Sequence, residues 1–202
     1  LLPRYIKSVS QFEHHLNQFT DDFIACHAEG NYADKSDIEK LKAYLSGVSL
    51  YVGEFLFNWR SVRVHFRKLN LKEKVYEKLV AHNGPGTDSS DSDPITSIPI
   101  ETGLIALASE TKRSVVYSAN AKSGYDTGSG HIWKDYVTMV FEQFCFSGYP
   151  VLSLGVSVKH KEDHREMLYF LSYIQIEQII QENLKKVDKK IRIIDALTKE
   201  LT

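Results

Sequence analysis

Thr102-Gly103-Leu104-Ile105-Ala106-Leu107-Ala108-Ser109-Glu110-Thr111, then two basic residues, then Ser114-Val115-Val116-Tyr117-Ser118: this stretch decides the fold. Its first part, Thr102 to Glu110, reads as a short helix. Its second part, with two adjacent valines and a tyrosine, reads as a strand. A polar, glycine-rich stretch from Ala119 to Gly130 follows. That is long for a plain connection, and long loops on compact domains are often functional.

Downstream, Tyr136 to Phe146 and Val151 to Lys159 are rich in β-formers and flank Ser147-Gly148-Tyr149-Pro150. A short turn there predicts a hairpin, with Gly148 supplying positive φ. Leu152, Leu154, Val156 and Val158 fall on one face of the second strand, which predicts that this face is buried.

Upstream, Val62, Val64 and Phe66 alternate with Arg63, His65 and Arg67, the period of a half-buried strand. A further strand is expected from Val75 to His82. The stretch from Thr87 to Pro94 is rich in Asp and Ser with no aliphatic residue, and reads as a solvated loop.

Before these strands the period is helical. Leu2, Tyr5, Val9, Phe12, Leu16, Phe19, Phe23 and Cys26 recur at spacings of three and four, up to a break at Gly30-Asn31. Ser36 followed by Glu39 is a capping-box pattern opening a second helix. That helix carries Ile38, Leu41, Leu45, Val48, Val52, Phe55 and Trp59 on one stripe. The two helices fit an antiparallel hairpin, or the first is lent to a second subunit.

From about Glu162 the chain reads as helical to its end. Tyr173, Ile180, Val187, Ile194 and Leu201 are seven residues apart, with Leu184 and Ile191 at the complementary seam positions. This heptad rhythm predicts a coiled coil and, through it, a homodimer. Glu177 and Thr198 are imperfections in the seam. The nearby lysines read as a solvated helix face.

The order of these elements resembles a GAF domain, over about residues 60–181. The stretch from Thr102 to Thr111 resembles the family's glycine-initiated helix and Glu-Thr corner. Ser114 to Ser118 resembles its Val-Val strand, and Pro150 to Val158 its penultimate hairpin and strand. The resemblance implies an α+β fold: an antiparallel sheet with helices packed on it. It also implies a small-molecule site between the sheet and an irregular crossover, and dimerisation through terminal helices. The chain lacks the Asn-Lys-Phe-Asp-Glu signature of cyclic-nucleotide-binding members and the pocket-loop cysteine of bilin-binding members, so no cofactor is named.

The division expected is 1–59 for the amino-terminal helices, 60–165 for the sensor core and 166–202 for the closing and signalling helix. The candidate ligand pocket is the crossover with Asn120, Tyr125, Asp126, His131 and Trp133, entered from the strand by Tyr117. Aromatic walls with a few placed polar groups are what a small-ligand site needs. Set against this, Tyr125 and Trp133 could simply cap the core.

Other clusters carry less. His160 and His164 could share a helix face, but no third metal ligand is evident. Gly128-Ser129-Gly130-His131 lacks the strand-turn-helix setting of a nucleophile elbow. Asp88, Asp91 and Asp93 are followed by Pro94 without the glycine and glutamate of a calcium loop. Cys26 and Cys145 read as two buried thiols.

Hydrophobic residues make up 43% of 202 residues, enough for a real core, and the net charge of -1 argues against a nucleic-acid binder. No apolar run reaches the roughly 20 residues of a membrane span. The chain begins Leu1-Leu2-Pro3, which fits a piece of a longer protein, cytoplasmic or the cytoplasmic part of a membrane-attached one. The expected function is a non-enzymatic sensory or regulatory domain. It would respond to a small molecule or a change of state, and signal through dimeric helices to an output domain or partner protein. The alternative is a dimerisation or interaction module whose pocket has degenerated.

Overall fold

The computed structural model describes residues 2–56, 62–83, 96–118, 135–158, 173–199 and 201. Asn120, Tyr125, Asp126, His131 and Trp133 of the expected pocket lie outside the described residues, as do Asp88, Asp91, Asp93, the Gly128–His131 stretch and the His160–His164 pair.

The chain opens with helices α1 (Leu2–Ala28) and α2 (Asp37–Tyr51). The capping box forms as read: Glu39 N–H donates to Ser36 Oγ at 3.4 Å, and Ser36 N–H donates to Glu39 Oε2 at 2.8 Å. Of the two arrangements the sequence left open, α1 packs on α2 of its own chain. The Phe19 and Tyr44 rings stack with centroids 5.6 Å apart, and the Thr20 and Tyr44 hydroxyls meet at 2.9 Å. Gly47 makes that approach possible, because a Cβ there would overlap the Phe19 ring. Beyond Tyr51 the helix widens into a π-helical segment, Val52–Leu56.

The sheet is built from β1 (Val62–Asn70), β2 (Val75–Asn83), β3 (Ser97–Pro99), β4 (Val115–Ser118), β5 (Asp135–Val140) and β8 (Leu152–Val158), in the order β3-β2-β1-β8-β5-β4. Among the described residues every pairing in this sheet is antiparallel. Two short strands, β6 (Cys145–Phe146) and β7 (Tyr149–Pro150), form a separate ribbon.

The expected hairpin is present in its pairing, with Met139 opposite Leu154, but its first strand does not run on to Phe146. The backbone turns at Phe141, whose carbonyl accepts from Phe144 N–H at 2.9 Å, and the Phe141 ring is fully buried. Burial of that ring bends the strand and leaves β6 and β7 as a small ribbon at the tip. Ser147 and Gly148 between them take φ of 50° and 86°, the two positive values of a type I′ turn.

One apolar core joins the sheet to the helices. Val62, Val64 and Phe66 of β1, Val137 and Met139 of β5, and Leu152, Leu154 and Val156 of β8 pack with Leu16 of α1 and with Tyr44, Leu45 and Val48 of α2. A smaller helix, α3 (Gly103–Thr111), packs near the other end of the molecule, with Leu69, Tyr76, Ile100 and Ile105 as a second core. Tyr76 OH donates to Pro150 O at 3.0 Å and lies 3.0 Å from Ser109 Oγ. Burial pushes its phenol up to about 12, so it stays a neutral donor.

The carboxy-terminal helix departs from expectation. It is two helices, α4 (Tyr173–Ile191) and α5 (Ile193–Lys199), broken at Arg192, whose φ of 58° is left-handed. Asp188 Oδ1 caps the second piece, accepting from Ile194 N–H at 2.8 Å and Asp195 N–H at 3.0 Å. Among the seam residues, Ile180, Leu184 and Val187 are fully buried and Ile194 nearly so, in the same core as α1, α2 and the sheet. Ile191 and Leu201 are half-buried against it, and Tyr173 begins α4.

The seven-residue rhythm is therefore used inside the chain, where the helical layer must cover the apolar face of the sheet. A single uninterrupted coiled-coil helix is not what forms. The thiols also differ from expectation: Cys26 is half-buried and Cys145 exposed. No helix among the described residues is long and apolar enough to cross a membrane.

Candidate polar site on the sheet

Strand geometry puts Arg63, His65 and Arg67 on the face of β1 opposite the apolar one. β8 runs antiparallel beside it, and the register sets Ser157 opposite Arg63, Gly155 opposite His65 and Ser153 opposite Arg67. On the other side, β2 brings Lys78 opposite Arg67 after a bulge at Phe66/Arg67. On β5, Thr138 lies opposite Gly155.

This face was expected to meet water. Instead Arg63 is 3% exposed, Arg67 2% and Ser157 0%, so β1 is buried on both sides. The sequence pattern that would have marked the site is the pairing of two triplets. Arg-x-His-x-Arg on one strand faces Ser-x-Gly-x-Ser on its neighbour, so bulky polar groups meet small ones.

The imidazole of His65 lies over Gly155, where a Cβ would overlap the ring. Burial drives its basicity well below the ordinary histidine range, and the charges of Arg67, Arg63 and Lys78 push it further the same way. The ring is neutral at pH 7. Among the described residues, neither His65 Nδ1 nor Ser157 Oγ has a hydrogen-bond partner, though both atoms are buried. Buried polar atoms are normally satisfied, which makes two neighbouring exceptions informative. Arg67 Nη1 donates to Thr96 O at 3.4 Å.

Of the pocket residues read from the sequence, Tyr117 is placed by β4. Its register partner is Tyr136 of β5, which in turn lies opposite Ser157 of β8. Tyr117 thus falls on the cross-strand row that ends at Arg63. A link to the helical layer starts at the same edge of the sheet. Ser114, just before β4, donates to Glu177 Oε2 on α4 and accepts from Val140 N–H of β5 at 3.3 Å. Burial raises the Glu177 carboxyl above its ordinary value, opposed by the bond from Ser114. A separate, open cleft of about 490 Å³ lies between α3 and the β6–β7 ribbon, lined by Glu101, Ser109, Lys112 and Tyr149 among others. It mixes charges of both signs, and its buried Ser109 is already engaged with the Tyr76 hydroxyl at 3.0 Å.

Among solved structures, the chain resembles a free methionine-R-sulfoxide reductase from Neisseria meningitidis in complex with its substrate. The TM-score is 0.56 at 16% identity, over 93% of this chain and 92% of that one. It also resembles a protein described as a GAF sensor from Burkholderia vietnamiensis, with a TM-score of 0.55 at 11% identity, over 90% and 97%. A third, described as the structure of the GAF domain, gives 0.51 at 11% identity, over 89% and 88%. No protein-family model matches the sequence, and no curated protein matches it.

The chain has a divergent GAF-like fold, as the stretch from Thr102 to Ser118 suggested. The expectation that it is not an enzyme is corrected by the same comparison. A reductase shares this fold over nearly its whole length, so the architecture houses catalysis as well as sensing.

Proposed function

We propose that the chain is a sensory or regulatory domain of the GAF kind. A small molecule binds on the polar face of the sheet, around His65 and Ser157, and the helical layer carries the response to an output domain or partner protein. The observation that carries this reading is the buried polar row itself. A strand buried on both sides is ordinarily apolar on both, whereas this one buries Arg63 and Arg67 with a partly buried His65 between them, and His65 Nδ1 and Ser157 Oγ are left without a hydrogen-bond partner.

Transmission runs through the contact from Ser114 to Glu177, which ties the edge of the sheet to α4. A ligand that shifts β5 and β4 changes that contact, and packed helices answer in discrete steps. The reading keeps the homodimer expected from the sequence, now formed through surfaces other than the buried seam.

Native mass spectrometry of the purified chain tests it, together with light scattering over a range of concentrations. A retained small molecule and a two-subunit mass are expected. An empty dimer would favour the interaction module with a degenerate pocket. An empty monomer that no compound stabilises in a thermal-shift screen would remove the sensory reading.

A further inference from the structure

The open cleft between α3 and the β6–β7 ribbon shares no residue with the polar row. At about 490 Å³ it has the size of a small-ligand pocket. Its long wall is α3. Glu101 precedes that helix, Ala106 lies along it, and Glu110 and Lys112 stand at its far end. Its nine residues rise about 1.5 Å each, so the ends of the wall are roughly 13 Å apart.

A carboxylate therefore marks one end of the cleft, and a carboxylate with an ammonium marks the other. Among the described residues, none of Glu101, Glu110 and Lys112 is in an ion pair. Glu110 and Lys112 have opposite charges two positions apart and do not meet. The Lys112 charge instead reaches the ribbon, where it opposes the burial that pushes the Cys145 thiol up.

The backbone is unusual at the same place. Lys112, which ends α3, has φ of 52° and ψ of 34°, and Ser147 in the facing turn has φ of 50°. Glycine or asparagine is the usual choice for left-handed backbone at a helix end or in such a turn. Of the four non-glycine residues with positive φ among the described residues, two line this cleft. Residues held in such conformations gather at ligand sites, where the side chain is needed against the preference of the backbone.

The charges set the class of ligand. Two carboxylates against one ammonium leave the lining acidic by one charge, so a matching molecule carries one more cation than anion. Their placement asks for a lone cation at Glu101 and an ammonium beside a carboxylate at the other end. We propose that this cleft binds a basic α-amino acid. Its α-carboxylate meets Lys112, its α-ammonium meets Glu110, and its methylene chain runs along Ala106 to bring the distal cation to Glu101. Ser147 and Tyr149 offer hydroxyl groups from the ribbon side.

The test titrates the intact, isotope-labelled chain with L-lysine, with L-norleucine, which lacks the distal ammonium, and with cadaverine, which lacks the α-carboxylate. The backbone amides of Lys112, Ser147 and Gly148 report the site by NMR. L-lysine should shift them saturably at millimolar concentration. Each of the other two should bind at least about tenfold more weakly, the loss expected for one charge-assisted contact. Lys112→Gly removes the ammonium and suits the left-handed backbone, so it should fold at least as well as wild type and lose at least about tenfold in affinity for L-lysine. Glu101→Gln should lower the affinity for L-lysine to that for L-norleucine and leave L-norleucine unaffected.

L-norleucine or cadaverine binding as tightly as L-lysine would overturn the proposal. Unchanged affinity in Lys112→Gly, an equal loss for both amino acids in Glu101→Gln, or shifts that do not saturate would do the same. Such a failure would leave the polar row untouched, because the two places have no residue in common.

Discussion

Gly155 on β8 stands directly opposite His65 on β1, and the imidazole occupies the space that any larger side chain at 155 would need. Gly155 is buried and central in a strand flanked on both sides, which leaves its backbone little room to yield, while His65 opposite it is partly buried. Gly155→Ala should therefore destabilise the fold by about 1–3 kcal/mol, the usual range for overpacking a filled interior. Adding His65→Ala should return part of that loss by vacating the overlap. Urea denaturation of the two single variants and the double variant reads the coupling. Additive losses would show that the contact is not what excludes a side chain at 155.

The neutral state of His65 has a consequence for acid stability. Its folded basicity lies below the value of an unfolded histidine, so between those two values the unfolded chain binds a proton that the folded chain does not. Stability contributed by this site is full above about pH 6.5 and is lost as the pH falls from there toward the folded value. Replacing His65 by Gln should flatten that part of the profile, whatever the substitution costs at pH 7.5. Denaturation midpoints measured at intervals from pH 7.5 to 5 check this. A wild-type slope retained in the variant would assign the acid loss to other groups.

How much of this was legible in the sequence depends on what each residue's partner was. The capping box at Ser36 and Glu39, the turn at Gly148 and the helix-strand pair from Thr102 to Ser118 are local, and formed where read. The seam from Ile180 to Ile194 was correctly read as apolar, but periodicity does not say which surface a stripe will meet. Here the nearest apolar surface was the chain's own sheet and α1. The polar row was missed because alternation of Val and Arg reads as a half-exposed strand. Only the pairing with Ser153, Gly155 and Ser157, roughly ninety positions away in sequence, shows which groups share the row, and only the folded chain shows Arg63 and Arg67 buried there.

Glu177 shows the opposite pH sense. Burial raises its carboxyl, so in the window that opens at the ordinary carboxylate value and extends upward the folded chain holds a proton that the unfolded chain has released. Its contribution to stability thus grows as the pH falls through the folded value toward the unfolded one. Glu177→Gln, which keeps a bond to Ser114 without the charge, should be at least as stable as wild type at neutral pH and should lose this gain on acidification. Subtracting the two denaturation profiles between pH 7 and 4.5 isolates the effect from His65 and the other carboxylates. A difference profile that is flat across this range would mean that Glu177 ionises normally in the folded chain.

The buried seam makes a prediction about assembly as well as stability. Ile180 is fully buried beside residues of α1 and α2, whereas Ile174, on the same helix, is 55% exposed. Truncating Ile180 to Ala removes interior contacts and leaves a cavity, so it should cost about 2–5 kcal/mol, and that loss should not depend on protein concentration. Ile174→Ser should cost less than about 0.5 kcal/mol if that surface meets only water. If Ile174 instead lies in the interface of the proposed homodimer, its variant should shift the subunit equilibrium seen by light scattering while leaving the unfolding of the isolated chain unchanged. Concentration-dependent destabilisation by Ile180→Ala would reverse the assignment, returning the heptad seam to a contact between subunits.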